Sequence, residues 1–327
     1  MEERARVPRP ILLGVVGDSA AGKTTMTRGL VRVLGEENVT HVCTDDYHSY
    51  DRQQRAVRGI TPLHPDCNYV DIIAQHLGHL RAGEPILKPV YQHSDGTFGV
   101  PVYVQPARFV VVEGLLGFAT DVMRQHYDIR VYLKPPEEVR RRWKVQRDVS
   151  RRGYSTSQVL AELDRREPDS EHFIRPQERF ADIVVSFTEN GNRDQERLDA
   201  ELTLRPSLHH PDFSPVIDES RAITLEERDR DWLLHIAGDL DVQRGQEVEE
   251  TLWERMHFAR HLHFDRLGEF TIGTELHRSE CLAVVQMLIL YHLVTAKASV
   301  ALGADGARAL DTEPASVEPT VSDAMGR

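Results

Sequence analysis

Eight consecutive residues, Gly17-Asp18-Ser19-Ala20-Ala21-Gly22-Lys23-Thr24, constrain this chain more than any other feature, because they satisfy every fixed position of the phosphate-binding pattern G-x-x-x-x-G-K-[ST]. The flanks agree with the motif. Ile11 to Val16 is a short apolar run suited to a buried parallel strand, and Thr25 to Leu34 can continue as a helix. Strand, glycine loop and helix thus come in the order a P-loop requires. The glycines let backbone N–H groups close around a polyphosphate at the positive end of the helix. Lys23 is placed to reach the β- and γ-phosphates, and the Thr24 hydroxyl to ligate Mg²⁺. ATP and Mg²⁺ are therefore the expected cofactors, with residues 17–24 as their cradle. A chance Gly-Lys-Thr turn is the competing reading, and it accounts for neither the strand before it nor the helix after it.

The next strand, Val39 to Thr44, runs straight into Asp45-Asp46-Tyr47-His48-Ser49-Tyr50-Asp51-Arg52. In doubly wound sheets ligands bind beyond the carboxyl ends of the strands, so this cluster should face the same crevice as the P-loop. Asp45 becomes a candidate base; a solvated turn with an aspartate helix cap is the plainer alternative. Residues 55–104 are rich in Gly, Pro and His, contain one expected helix from Val70 to Arg81, and read as a substrate loop or lid. Within them Lys88, Tyr91 and His93 bring a cation, a phenol and an imidazole close together, a set that decorates surfaces as readily as it builds sites.

Phe109 to Gly114 is a buried strand ending in Glu113, a Walker-B-like placement. That acid can hold the Mg²⁺ shell directly or through water, orient the acceptor, or cap the next helix. Asp128 to Leu133 forms a fourth strand, and Pro135-Pro136-Glu137-Glu138 opens a helix that runs to Arg152 and stops at Gly153. Lys144, Arg147, Asp148 and Arg151 fall at i, i+3, i+4 and i+7 and share one face of it. Cations in such a row can clamp a phosphoryl group in transit, or simply form a solvated basic face. A further helix (155–166) and a fifth strand (181–187) complete an α/β pattern: a mainly parallel sheet with helices on both faces, the P-loop kinase fold.

Beyond Glu189 the apolar runs suggest a small antiparallel addition, followed by helices near 247–258 and 279–301. The expected divisions are a kinase core (1–190), C-terminal strands and helices packed on it (191–302) and a polar, disordered tail (303–327). At 327 residues the chain can hold one large domain or two modest ones. The most apolar stretch, Cys281 to Val294, is shorter than the ~20 residues a bilayer demands and reads as a buried helix.

Lys+Arg 40 against Asp+Glu 52 leaves a net charge of −12, which disfavours nucleic acid and anionic membranes as partners. Three scattered cysteines make neither a disulfide framework nor a zinc site, and about ten residues before the first strand carry no leader-like apolar run; a cytoplasmic protein is expected. The expected partners are a small-molecule acceptor and a second copy of the chain in a homodimer.

Taken together, the P-loop, Thr44-Asp45-Asp46-Tyr47-His48-Ser49-Tyr50-Asp51-Arg52, Lys88-Pro89-Val90-Tyr91-Gln92-His93, Val112-Glu113-Gly114-Leu115, and Lys144-Val145-Gln146-Arg147-Asp148 with Arg152-Gly153-Tyr154 resemble the phosphoribulokinase family within the wider uridine kinase-like group. Glu167-Pro168-Asp169 and Pro176-Gln177 look like its plant and cyanobacterial type. The likeness covers roughly residues 10 to 190 and implies ATP-dependent phosphorylation of D-ribulose 5-phosphate to ribulose 1,5-bisphosphate. It implies that Asp45 takes the acceptor proton, that Glu113 belongs to the metal and catalytic centre, and that Lys144 and Arg147 stabilise the phosphoryl group. His48, Arg52, Tyr91, His93 and Arg152 would hold the sugar phosphate, the basic ones among them supplying a local positive field.

Two positions depart from the family. Leu116 stands where a histidine is common, and Ala21 where the redox-regulated type has a P-loop cysteine. Cys43 is accordingly expected to be a bystander thiol. The rivals are a uridine- or pantothenate-type kinase, against which the basic, histidine-rich acceptor loop argues, and a non-catalytic ATP-binding regulator.

Overall fold

Alternation of side chains along one strand sets the layering of this molecule. The computed structural model describes residues 8–189, 197–217, 222–256, 266–272, 275–306 and 308, apart from the side chain of Arg151. All seven residues of strand β1 (Ile11–Gly17) are buried. Ile11, Leu13 and Val15 face one apolar layer, while Leu12 and Val16 face another. A strand buried on both faces must lie mid-sheet, and β1 does.

It is flanked by parallel β3 (Phe109–Gly114) and β4 (Ile129–Leu133), with β2 (Val39–Cys43) beyond β3 and β5 (Ile183–Glu189) beyond β4. The sequence expectation of five parallel strands holds. The antiparallel addition does not stand apart, however: β6 (Leu198–Leu204) pairs with β5, and β8 (Asp231–Ile236) joins β6 to β7 (Ile223–Arg228). One eight-stranded sheet results.

On one face α1 (Lys23–Leu34), α7 (Val242–Glu254) and α8 (Glu280–Ala301) cover the sheet; on the other, α3 (Val70–Ala82) and the short α4 (Asp121–Gln125) do so. By length and composition α8 is apolar enough to cross a membrane, but 78% of its most apolar window is buried inside this protein. Gln286 on α8 accepts from Gly268 N and donates to the carbonyls of Thr25 and Met26, tying it to the P-loop helix. Residues 257 and 258 of the expected helix 247–258 lie outside the described residues.

An additional helix, α2 (Arg52–Arg58), was not expected; Asp51 caps it through Gln54 in a reciprocal capping box. Helices α5 (Glu137–Arg152) and α6 (Thr156–Asp169) pack against each other over the carboxyl ends of the strands. The start of the presumed disordered tail is also anchored. Asp305 meets Arg9 and Arg81, the two partners of buried Asp128 at the foot of β4, and Arg308 meets buried Asp182 at the foot of β5 at 3.1 Å; both buried carboxylates need such cationic partners. Its remainder lies outside the described residues.

Candidate active site

The loop between β1 and α1 has the backbone its glycines dictate. Gly17 has φ +157° and leaves no room for a Cβ, which would fall 2.5 Å from the Leu133 carbonyl; Gly22 has φ +93° at the N-cap of α1. Ala20 adopts φ 66° without being glycine, a local strain inside the cradle. Lys23 Nζ donates to the carbonyls of Gly17 (2.7 Å) and Asp18 (2.8 Å). Burial pulls the Lys23 ammonium below its ordinary range against the raising influence of Asp45, Glu113 and Asp18.

Two residues of this loop also tie it to the neighbouring helices. The Asp18 side chain is buried and turned from the cradle, accepting from Ser170 Oγ and its neighbour Ser19 N, with Arg140 at 3.8 Å and Arg175 at 3.9 Å. The Ser19 carbonyl accepts from Arg140 Nη1. Asp18 thus contributes its backbone to the loop and its carboxylate to a strut beneath the neighbouring helices.

Glu113 ends β3 beside the P-loop helix. Its two oxygens accept from Thr24 Oγ1 at 3.1 Å and Thr27 Oγ1 at 3.2 Å, with His41 Nε2 at 3.4 Å from Oε1. Burial opposes its charge, but hydrogen bonds from His41 and Thr24 and the Lys23 charge outweigh that and hold the carboxyl below the usual range. Hydroxyl and carboxylate oxygens so placed fit Mg²⁺, a hard cation that takes one or two carboxylates and leaves the rest of its shell to phosphates and water. Among the described residues no group of three or more His, Cys, Asp or Glu forms a self-sufficient metal cage. The helix-capping alternative for Glu113 fails, since its carboxylate is spent on α1 and His41.

Past the end of β2, a single helical turn (Thr44–Tyr47) presents Asp45, the expected base, and its neighbour Asp46. Asp46 is committed: Lys88 Nζ binds one oxygen and Tyr91 N donates to the other at 3.1 Å. The Asp45 carboxylate has no hydrogen-bond or ion-pair partner among the described residues, yet lies close enough to Lys23, His48 and His93 to raise the proton affinity of each.

Tyr91 packs among the histidines and arginines of this region. Its buried ring stacks edge-on against His48 and His93, and its hydroxyl accepts from Arg55 Nη2. Arg52 Nη2 donates to the His93 carbonyl at 2.7 Å. His48 departs from the expected cationic role. Asn68 gives both its N–H groups to the carbonyls of Pro62 and His64, so its oxygen must accept from His48 Nδ1 at 2.7 Å. Burial, with Arg55 and His93, lowers the ring to about 4 despite Asp45 and Asn68. His93 is lowered too, by burial and then by Arg152 and Arg52, against Asp45 and Asp46. Both imidazoles are hydrogen-bonding groups at neutral pH, and the positive field comes from arginines.

Those arginines include one that sequence reasoning missed, Arg55 beside His48. Arg55 lies one turn after Arg52 on α2, a spacing legible only once α2 is known. On α5, Asp148 collects the cations: Lys144 Nζ at 2.7 Å, Arg147 Nε at 2.9 Å and Arg152 Nη1 at 3.6 Å. Burial and then Arg147 pull Lys144 down to about 8, with Asp148 opposing. Asp148 itself is held below the usual carboxylate range, since hydrogen bonds from Arg147 and Lys144 outweigh its burial. The expected fourth member of the row, Arg151, has a side chain outside the described residues. Trp143 brings α5 over the P-loop, its indole 3.6 Å from where a Cβ on Gly22 would stand.

Leu116 packs with Leu63, Leu115 and Ile174 in a small apolar cluster. None of the cysteines is in a disulfide. Burial and the negative charges of Asp45 and Glu113 push the Cys43 thiol well above its ordinary range.

Comparison with known proteins agrees with this arrangement. The Phosphoribulokinase / Uridine kinase family matches residues 12–191. A phosphoribulokinase from Synechocystis sp. is 41% identical over 180 residues, covering 55% of this chain and 54% of the relative. A chloroplastic phosphoribulokinase from Triticum aestivum is 34% identical over 196 residues, covering 55% and 48%. The chain thus spans about half the length of these relatives. The solved phosphoribulokinase from Rhodobacter spheroides superposes with a TM-score of 0.54 at 16% identity, covering 77% of this chain and 98% of that one, a likeness of fold. Motif, sheet order and site geometry converge with the match over residues 12–191, and the chain belongs to the phosphoribulokinase / uridine kinase family.

Proposed function

We propose that the protein transfers the γ-phosphoryl group of ATP to the primary hydroxyl of D-ribulose 5-phosphate, releasing ADP and ribulose 1,5-bisphosphate. One observation carries this reading: the carboxylate of Asp45, without a hydrogen-bond or ion-pair partner among the described residues, lies near Lys23 of the P-loop and near His48 and His93, which flank Tyr91, beside a cluster of arginines suited to a phosphorylated acceptor. Asp45 receives the proton as the hydroxyl oxygen bonds to phosphorus and the bond to ADP breaks. Lys23, Lys144 and Arg147 neutralise the charge on the transferring group, and Arg52, Arg55 and Arg152 hold the acceptor phosphate. His48 and His93, neutral, orient sugar hydroxyls. Thr24 and Glu113 would hold Mg²⁺, which would supply charge neutralisation for the nucleotide phosphates.

The enzyme we propose is soluble and cytoplasmic and works as a homodimer. The deciding experiment compares ADP release with ribulose 5-phosphate, uridine and pantothenate as acceptors. Turnover confined to the sugar phosphate is expected. Turnover with uridine or pantothenate alone would move the protein to another branch of the family, and ATP binding without acceptor-dependent ADP release would make it a regulator.

A further inference from the structure

The segment that ends α6 touches both halves of the site. Pro168 lacks an N–H for the carbonyl four residues back, so α6 cannot continue regularly, and residues Ser170–Ile174 follow as a wider π-helical turn. Its first two neighbouring side chains point to different loops. Asp169 Oδ2 accepts from Thr61 Oγ1 at 2.5 Å, and Thr61 Oγ1 accepts from Leu63 N at 3.1 Å, so this bond fixes the loop that follows α2. Ser170 Oγ donates to Asp18 Oδ2 in the P-loop. Thr61, Asp18 and Ser170 are all buried. Behind them Leu63 and Ile174 pack on Leu115 and Leu116, the residues directly after Glu113-Gly114. Two adjacent residues therefore bridge the donor loop to the acceptor loop through one hydrogen bond each.

We propose that Asp169 and Ser170 are positioning residues that couple the two loops, so that nucleotide on the P-loop orders residues 52–68 and bound acceptor in turn tightens nucleotide binding. The coupling is reciprocal by linkage, and it needs only that the crosspiece hold both loops in one arrangement. It rests on the phosphotransfer reading solely in taking residues 52–68 as the acceptor side.

The test is amide hydrogen exchange with and without ADP, which requires no acceptor. In the wild type, ADP should slow exchange in peptides covering the P-loop and in those covering residues 52–68. In Ser170→Ala and in the near-isosteric Thr61→Val, P-loop protection should persist while the ADP-dependent protection of residues 52–68 disappears. Ser170→Thr and Thr61→Ser, which keep the hydroxyls, should restore it. Protection of 52–68 that survives both removals, or that is absent in the wild type, overturns the coupling. A parallel measurement gives the KM for ribulose 5-phosphate at limiting and saturating ATP. A wild-type ratio within the usual roughly 5–150-fold range of site coupling should fall toward unity in Ser170→Ala and Thr61→Val. Lack of wild-type turnover with that acceptor would sink the acceptor assignment, while the exchange data would still decide the coupling.

Discussion

Replacing Asp148 with Asn keeps the shape of the side chain and removes the one carboxylate that gathers Lys144, Arg147 and Arg152. Lys144 is only 4% exposed and is already drawn down to about 8 by burial and Arg147. A hydrogen bond between charged groups contributes roughly 1.5–3 kcal/mol. At about 1.4 kcal/mol per pKa unit, its loss lowers Lys144 by about 1–2 units, to roughly 6–7. At pH 7.5 the protonated fraction then falls from about three quarters to roughly a tenth. Protonation alone costs less than about tenfold, but Arg147 loses its anchor in the same step, and removing one preorganised charge-stabilising donor costs roughly 10²–10³. The expected drop in kcat/KM at pH 7.5 is about 10²–10³.

The assay is the pH profile of kcat/KM for the acceptor, which reports groups of the free enzyme. Wild type should lose activity as pH rises through about 8, where Lys144 gives up its proton. The alkaline limb of Asp148→Asn should lie about 1–2 units lower. Unfolding driven by Lys144 cannot imitate this limb. Its folded pKa lies below its ordinary 10.5, so between about 8 and 10.5 the unfolded chain binds more protons and stability rises with pH through this group. A variant with near wild-type kcat/KM and an unmoved alkaline limb would refute the reasoning.

Three further outcomes follow from the site. Asp45→Asn should lower kcat about 10²–10⁴-fold with ADP affinity retained, whereas Asp46→Asn, which frees Lys88 and Tyr91, should chiefly raise the acceptor KM; the reverse pattern would exchange their roles. Neutralising Arg52 or Arg152 to Gln should raise the KM for the sugar phosphate far more than that for ATP, because guanidinium–phosphate bonds are strong and geometrically exacting; a selective loss of ATP affinity would overturn their placement. Turnover should be the same after a dithiol reductant or a mild disulfide-forming oxidant, since the Cys43 thiol is pushed up and away from its reactive form. A reversible loss on oxidation that vanishes in Cys43→Ser would reveal a switch.

The donor half of the site was legible in the chain because its chemistry is local. A strand, a glycine loop and a helix N-terminus are contiguous, so the letters from Ile11 to Leu34 fix where phosphate must bind before any tertiary contact forms. The same holds for Glu113, since a buried apolar run can end in a carboxylate only where the strand leaves the sheet. The parallel core was legible for a similar reason: strands buried on both faces carry unbroken apolar runs.

What the letters could not decide is where side chains spend their bonds. Asp45 is singled out in the letters, but the task of its neighbour Asp46 is not, and only Lys88 and Tyr91, more than forty residues away, commit it. His48 reads as a cation, but burial, with the charge of Arg55 and the neighbouring His93, keeps it neutral in spite of Asn68. Asp18 belongs to the expected cradle through its backbone, and only the fold shows its carboxylate spent on Ser170, Arg140 and Arg175. The antiparallel strands read as an appendage, yet β5 offers them an open edge and they complete one sheet. Local backbone geometry and apolar periodicity are written within a few turns of chain, so the sequence by itself determined the fold class and the phosphate cradle. Charge state, hydrogen-bond commitment and sheet edges depend on groups distant in sequence, and only the tertiary structure brings those groups together.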